Sequence, residues 1–156
     1  MIIQAARSPD VGDITILAHS MGTWLTAEAL RGIAMREKTI PAKVRNVVLA
    51  SPDIDVDVFR RQLIEMGPKR PQFTIFASTR DRALEVSRWI SGGVNRVGGI
   101  DTTAYTDVLK SLGITVIDTS TVRSKDALGH NAFADSPEII CLLYTSDAAD
   151  DSLRVD

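Results

Sequence analysis

Short apolar runs alternate along the chain with longer stretches of mixed polarity, and that alternation predicts the elements. Residues 14–18 (ITILA) are almost wholly apolar and of strand length, the pattern of a strand covered on both faces. Residues 21–36 follow with helical spacing: Leu25, Ala29 and Ile33, with Met21 and Trp24 beside them, make an inward stripe, while Glu28, Arg31 and Arg36 face out. Pro41 closes that helix off. A second strand is expected at 46–51, ending at Pro52, and then a helix at 55–67 that buries Val58, Phe59, Leu63 and Met66 and stops at Gly67. A third strand is expected at 72–78 and a helix at 82–91, packing through Leu84, Val86 and Ile90. Gly92, Gly93, Gly98 and Gly99 loosen the chain into a loop, a short helix is expected at 107–112, and a fourth strand at 114–117. The opening IIQAA reads as the end of a helix, with SPDVGD as a turn-rich bridge into the first strand. Near the other end, Asp135, Pro137 and Glu138 read as a helix start.

Four β-rich runs separated by amphipathic helices predict an α/β fold, an open and mostly parallel sheet of about four strands with helices on both faces. Ligands of such sheets bind at the carboxyl ends of the strands, so the polar residues there are the candidates for chemistry.

Composition narrows that chemistry. The chain has 156 residues, one domain's worth, with 44% hydrophobic and 24% charged residues, which is neither disordered nor membrane-spanning. A net charge of -2 without a long basic block gives no field for nucleic acid or acidic lipid. One cysteine, Cys141, excludes an internal disulfide and a thiolate metal cage, and two histidines are too few for an imidazole metal site. The apolar start is too short for a signal-peptide core or a membrane span, and the compartment is not legible. A soluble domain remains, whose chemistry draws on serine, carboxylate and histidine.

The strongest candidate site is the first strand-to-helix junction, ILAHSMGTWL. Ser20 stands between strand and helix, with Ala18 two residues before and Gly22 two after. That is the nucleophile-elbow arrangement, a turn so sharp that its neighbours must be small and the hydroxyl projects above the sheet. The usual pattern opens with glycine; alanine holds that place here. An ordinary N-cap serine is the simpler alternative. At an elbow the backbone N–H of Met21 becomes an oxyanion donor, aided by the helix dipole. A serine hydroxyl needs a base. His19 is held within the turn and reads as a packing or loop-anchoring residue, so His130, in the polar stretch DALGHNAF, is the candidate. For the acid that orients the imidazole, Asp81 after the third strand is preferred, with Asp53 in reserve and Asp118 third; Asp55 lies on the same edge. A nucleotide-binding sheet is disfavoured, because AHSMGT offers one glycine and no lysine, and the glycine pairs at 92–93 and 98–99 follow a helix instead of opening one.

The blocks ILAHSMGTWLTAEALR, NVVLASPDIDVDVFRRQL, FTIFASTRDRALEVSRWISGG, RVGGID, GITVIDTS and LGHNAFADSPEI together resemble the alpha/beta-hydrolase family of bacterial hydrolases of unknown function, esterase- or lipase-like, from about residue 13 to 140. The resemblance implies a C-terminal part of an alpha/beta-hydrolase domain at 1–140, with Ser20 as nucleophile, Asp81 as acid and His130 as base. It implies a small-molecule carboxylic ester as substrate and no cofactor, since the mechanism needs neither metal nor nucleotide. A non-catalytic binding or scaffold protein on the same fold is the alternative. The family's sheet has eight strands, of which the last four are expected here, without the loop that supplies the second oxyanion donor. Little or no turnover by this chain alone is therefore expected, and its exposed sheet edge invites oligomerisation. Residues 141–156, CLLYTSDAADDSLRVD, resemble the conceptual translation of a sequencing adapter and are expected to form a non-native tail.

Overall fold

A computed structural model of the chain describes residues 1–78, 97–99 and 111–120. The elements run α1 (Ile2–Arg7), β1 (Ile14–His19), α2 (Met21–Glu37), β2 (Val44–Ala50), α3 (Val56–Met66), β3 (Gln72–Ala77), a 3₁₀ turn at Val97–Gly99 and β4 (Ile114–Asp118). The four strands form one sheet in the order β1-β2-β3-β4, every pair parallel. The expected α/β class and parallel sheet are therefore present. The helices expected at 82–91 and after Asp135, and all but the end of the one expected at 107–112, lie outside the described residues.

The register explains where the core sits. Ile16 pairs with Val47 and Val47 with Phe73, and Phe73 pairs with Ile114. One step along, Ala18 aligns with Leu49, Leu49 with Ile75 and Ile75 with Val116. Side chains two apart on a strand share a face, so these residues make two apolar rows across one side of the sheet. Helices α2 and α3 pack against each other, and Ala27, Leu30, Ala34, Phe59, Leu63 and Met66 join those rows in one core cluster. Both helices lie on the same side because successive right-handed crossovers in one direction put them there. Phe59 meets Phe73 edge to face, with centroids 6.0 Å apart and planes at 75°, which anchors α3 on β3. On the opposite face Val48, Ala50 and Phe76 are also buried, in line with the unbroken apolar run of β2 and coverage on both sides.

Several local expectations need correction. Strand β1 is not covered on both faces: it is the outermost strand of the described sheet, Thr15 is exposed, and Leu17 is 53% exposed on the side away from α2. Strand β2 begins at Val44, two residues early, because a bulge between Ile14 and Thr15 pairs Val44 with Ile14 and skips Arg45. In α2 the inward residues are Thr23, Ala27, Leu30, Ile33 and Ala34, whereas Met21, Trp24 and Ala29 are exposed and Leu25 is 64% exposed. Of the expected stripe only Ile33 faces the core. In α3 the stripe holds for Phe59, Leu63 and Met66, but Val58 is exposed and Gln62 takes its place inside. Gly67 ends that helix at φ 78°, a conformation open to glycine at little cost.

The segment before β1 is tied to the sheet by polar bonds. Lys43 Nζ donates to the carbonyls of Ser8 and Val11 at 2.7 Å each, Ile14 N–H donates to Lys43 O at 2.6 Å, and Arg45 pairs with Asp13 at 3.3 Å. These bonds lie at the end of the first strand remote from the candidate site.

Candidate active site

At the carboxyl edge of the sheet each strand runs directly into a hydroxyl residue: Ser20 after β1, Ser51 after β2, Ser78 after β3, and Thr119 after β4. Backbone bonds continue the ladder one step beyond three of these strands. Ser20 N–H donates to Ala50 O at 3.1 Å, Ser51 N–H to Phe76 O at 3.1 Å, and Thr119 N–H to Ala77 O at 2.8 Å. The edge is therefore held rigidly, and the elbow is built on strand ends instead of on a free loop.

Ser20 has φ 53° and ψ -130°, and the next residue, Met21, already begins α2. A non-glycine residue with positive φ costs on the order of 1–3 kcal/mol, and such strain persists where surrounding structure enforces it. Here the enforcement is visible on both sides of the residue. Its N–H is spent on Ala50 O, and its carbonyl accepts from Thr23 N–H at 3.0 Å and from Thr23 Oγ1 at 2.5 Å. Thr23 is fully buried, so its hydroxyl acts as a fixed peg under the turn. The Ser20 side chain makes no capping hydrogen bond to α2. An ordinary N-cap serine has β-region dihedrals and bonds the N–H two or three residues on. Ser20 does neither, which separates it from the simpler alternative.

Met21 is the first residue of α2, so its N–H has no helical carbonyl before it and stands at the positive end of the helix dipole. Ala18 is buried in the core cluster, in keeping with a small residue at the base of the turn. At Gly22 a Cβ would meet nothing within 4 Å among the described residues. His19 is the last residue of β1, half-buried, and aligned with Ala50.

The carboxylates divide by occupation. Asp55 is the N-cap of α3, its Oδ1 accepting from Asp57 N–H and Val58 N–H at 2.9 Å each, so its charge is committed to the helix. Asp118 closes β4 and accepts from Ser120 N–H at 2.8 Å, an exposed turn contact. Asp53 sits between fully buried Pro52 and fully buried Ile54, itself half-buried, on a segment fixed at both ends. One end is Ser51, at φ 45°; at the other, Ile54 O accepts from Val97 N–H at 2.9 Å. Asp81 and His130 lie outside the described residues. The strained turn at Ser51 carried no mark in the sequence, since serine is not a residue that advertises positive φ. The Ser20–Thr23 spacing was a usable signal for the peg.

Among the described residues no helix is long and apolar enough to cross a membrane. A groove of about 520 Å³ runs between α2 and α3, lined by Glu28, Arg31 and Gln62 among others and reaching Asp57 and Val58 in the first turn of α3.

A parallel sheet with a strained serine between a strand and the following helix defines an alpha/beta-hydrolase type of architecture. The family model described as alpha/beta hydrolase of unknown function (DUF900) matches residues 1–146, and the chain belongs to that family. No curated protein and no solved structure matches the chain. Membership supports a hydrolase-like function.

Proposed function

We propose that the protein is a serine hydrolase acting on carboxylic esters, with Ser20 as nucleophile, His130 as base and Asp81 as the acid that orients it. His130 takes the Ser20 hydroxyl proton as the oxygen attacks the ester carbonyl carbon. The oxyanion that forms faces the Met21 N–H at the start of α2. The carbon–oxygen bond to the alcohol then breaks, the alcohol leaves with the proton from His130, and an acyl ester remains on Ser20. Water, deprotonated by His130, attacks that ester, and the carboxylic acid departs as Ser20 regains its proton.

The observation that carries this reading is the Ser20 backbone: positive φ, locked by Ala50 and Thr23, with no capping bond from the side chain. Strain of this kind is retained where function needs it. Asp53 is the alternative acid, standing on the rigid rim next to the elbow strand. Replacing the two carboxylates one at a time by asparagine separates them. The acid's variant loses orders of magnitude in esterase rate, and the other keeps most of it. If neither variant changes a rate that Ser20→Ala abolishes, the triad reading fails.

A further inference from the structure

The helix that carries Ser20 is joined to α3 by a polar network that neither the fold nor the proposed chemistry uses. Arg31 holds Glu28 with both arms of its fork, Nε to Oε2 at 3.0 Å and Nη2 to Oε1 at 2.5 Å. The same guanidinium reaches across to Glu65 Oε2 on α3 at 2.6 Å. From α3, Gln62 Nε2 donates to Glu28 Oε2 at 3.1 Å. Gln62 is only 3% exposed, and its Oε1 is buried with no hydrogen-bond partner among the described residues. Its amide is not free to turn round, because Oε1 would then face the Glu28 carboxylate. A leucine at this place would bury the same volume without the orphaned oxygen. Sequence alone placed Glu28 and Arg31 on a solvated face.

The apolar contact between the two helices, which includes Leu30 beside the smaller Ala27 and Ala34, is the less directional part of their interface. Two directional contacts do cross between the helices, the bond from the buried Gln62 amide to Glu28 and the Arg31–Glu65 ion pair, while the Glu28–Arg31 fork within α2 holds the α2 partners of both in place. The axial position of α2 matters because its first residues are the elbow. Glu28 is eight residues beyond Ser20, roughly 12 Å along the same helix, so a displacement at Glu28 loads the bonds that hold Ser20 to Ala50 and Thr23. Helix α3 in turn is capped by Asp55, directly after the rim segment that holds Asp53.

Accepting the serine-hydrolase reading, we infer that the Glu28–Arg31–Gln62–Glu65 network is a positioning device that sets the register of α2 on α3, and with it the height of Ser20 above the rim. Gln62 keeps an unsatisfied oxygen because the register it enforces is worth more to the site than the stability it forfeits.

The test uses the full chain and three variants, Gln62→Leu, Arg31→Ala and Arg31→Lys, with Arg45→Ala as the control for loss of a remote ion pair. Three quantities are read: the melting temperature, the rate at which an aryl phosphonate labels Ser20, and the residual dipolar couplings of α2 and α3. Gln62→Leu is expected to raise the melting temperature and yet slow labelling by about tenfold or more, since a displacement near 1 Å costs up to about 100-fold. Arg31→Ala slows labelling similarly, and Arg31→Lys falls between it and the wild type, because lysine lacks the fork. The couplings report a shifted angle or register between the helices in each slowed variant. Arg45→Ala labels at the wild-type rate. Gln62→Leu and Arg31→Ala labelling at the wild-type rate, or helix couplings unchanged from wild type, would overturn the inference. Absence of labelling at Ser20 in the wild type is a failure of the hydrolase reading instead, and the couplings then decide the register claim by themselves.

Discussion

Replacing Ser20 by glycine is expected to stabilise the protein while removing the proposed nucleophile. The backbone at this position has φ 53° and ψ -130°, a region glycine enters at little cost and other residues enter under strain. Relieving that strain returns about 1–3 kcal/mol. Against it stands the greater freedom of glycine in the unfolded chain, about 0.5–1 kcal/mol. No capping bond from the Ser20 side chain to α2 offsets the gain. The balance is about 1 kcal/mol in favour of Ser20→Gly, or roughly 2–4 °C in melting temperature for a chain of this size. Ser20→Ala keeps the Cβ and therefore the strain, and is expected to melt close to the wild type. Urea denaturation of the three proteins, with unchanged slopes as the check that unfolding exposes the same surface, measures the difference. A Ser20→Gly variant less stable than Ser20→Ala would show that the elbow is relaxed and that its geometry carries no functional meaning.

Three further outcomes follow from named contacts. Asp55→Ala removes an acceptor from two N–H groups at the start of α3 and is expected to cost about 1 kcal/mol in urea denaturation, with Asp55→Asn close to wild type. Gly22→Ala, for which the described surroundings leave space, is expected to keep the fold and gain up to about 1 kcal/mol of helix propensity, visible as a higher melting temperature. Hydrogen bonds from Arg31 and Gln62 hold the Glu28 carboxyl below its ordinary 4.5. Its stabilising effect is therefore complete above that pH and is lost as the pH falls through the lower folded-state value. Glu28→Gln is expected to flatten this part of the acid limb in a stability-versus-pH series, and an acid limb identical to wild type would show that the carboxylate is not engaged.

The strands were legible because β2 and β3 are buried on both faces and can be little other than apolar. The elbow was legible for a different reason: a serine between a strand and a helix with small neighbours is a short-range pattern. Helix α2 was harder. Its buried residues are Thr23, Ala27, Leu30, Ile33 and Ala34, and the large Leu25 and Trp24 are exposed. Three of those five buried positions carry small side chains, so hydrophobicity alone ranked Leu25 and Trp24 above them. The early start of β2 was hidden by the bulge that puts exposed Arg45 between two paired residues. The Gln62–Glu28 bond spans 34 positions and has no local mark. Ser51 was illegible by nature, since a positive φ on serine breaks the local rule that sequence reasoning relies on.

The most direct test is reaction with an aryl phosphonate followed by peptide mapping. Ser20 is expected to carry the adduct, with labelling abolished in Ser20→Ala and strongly slowed in His130→Ala, at a rate that saturates with reagent. Adduct on another residue, or equal labelling of wild type and His130→Ala, would contradict a nucleophile at the elbow activated by that histidine.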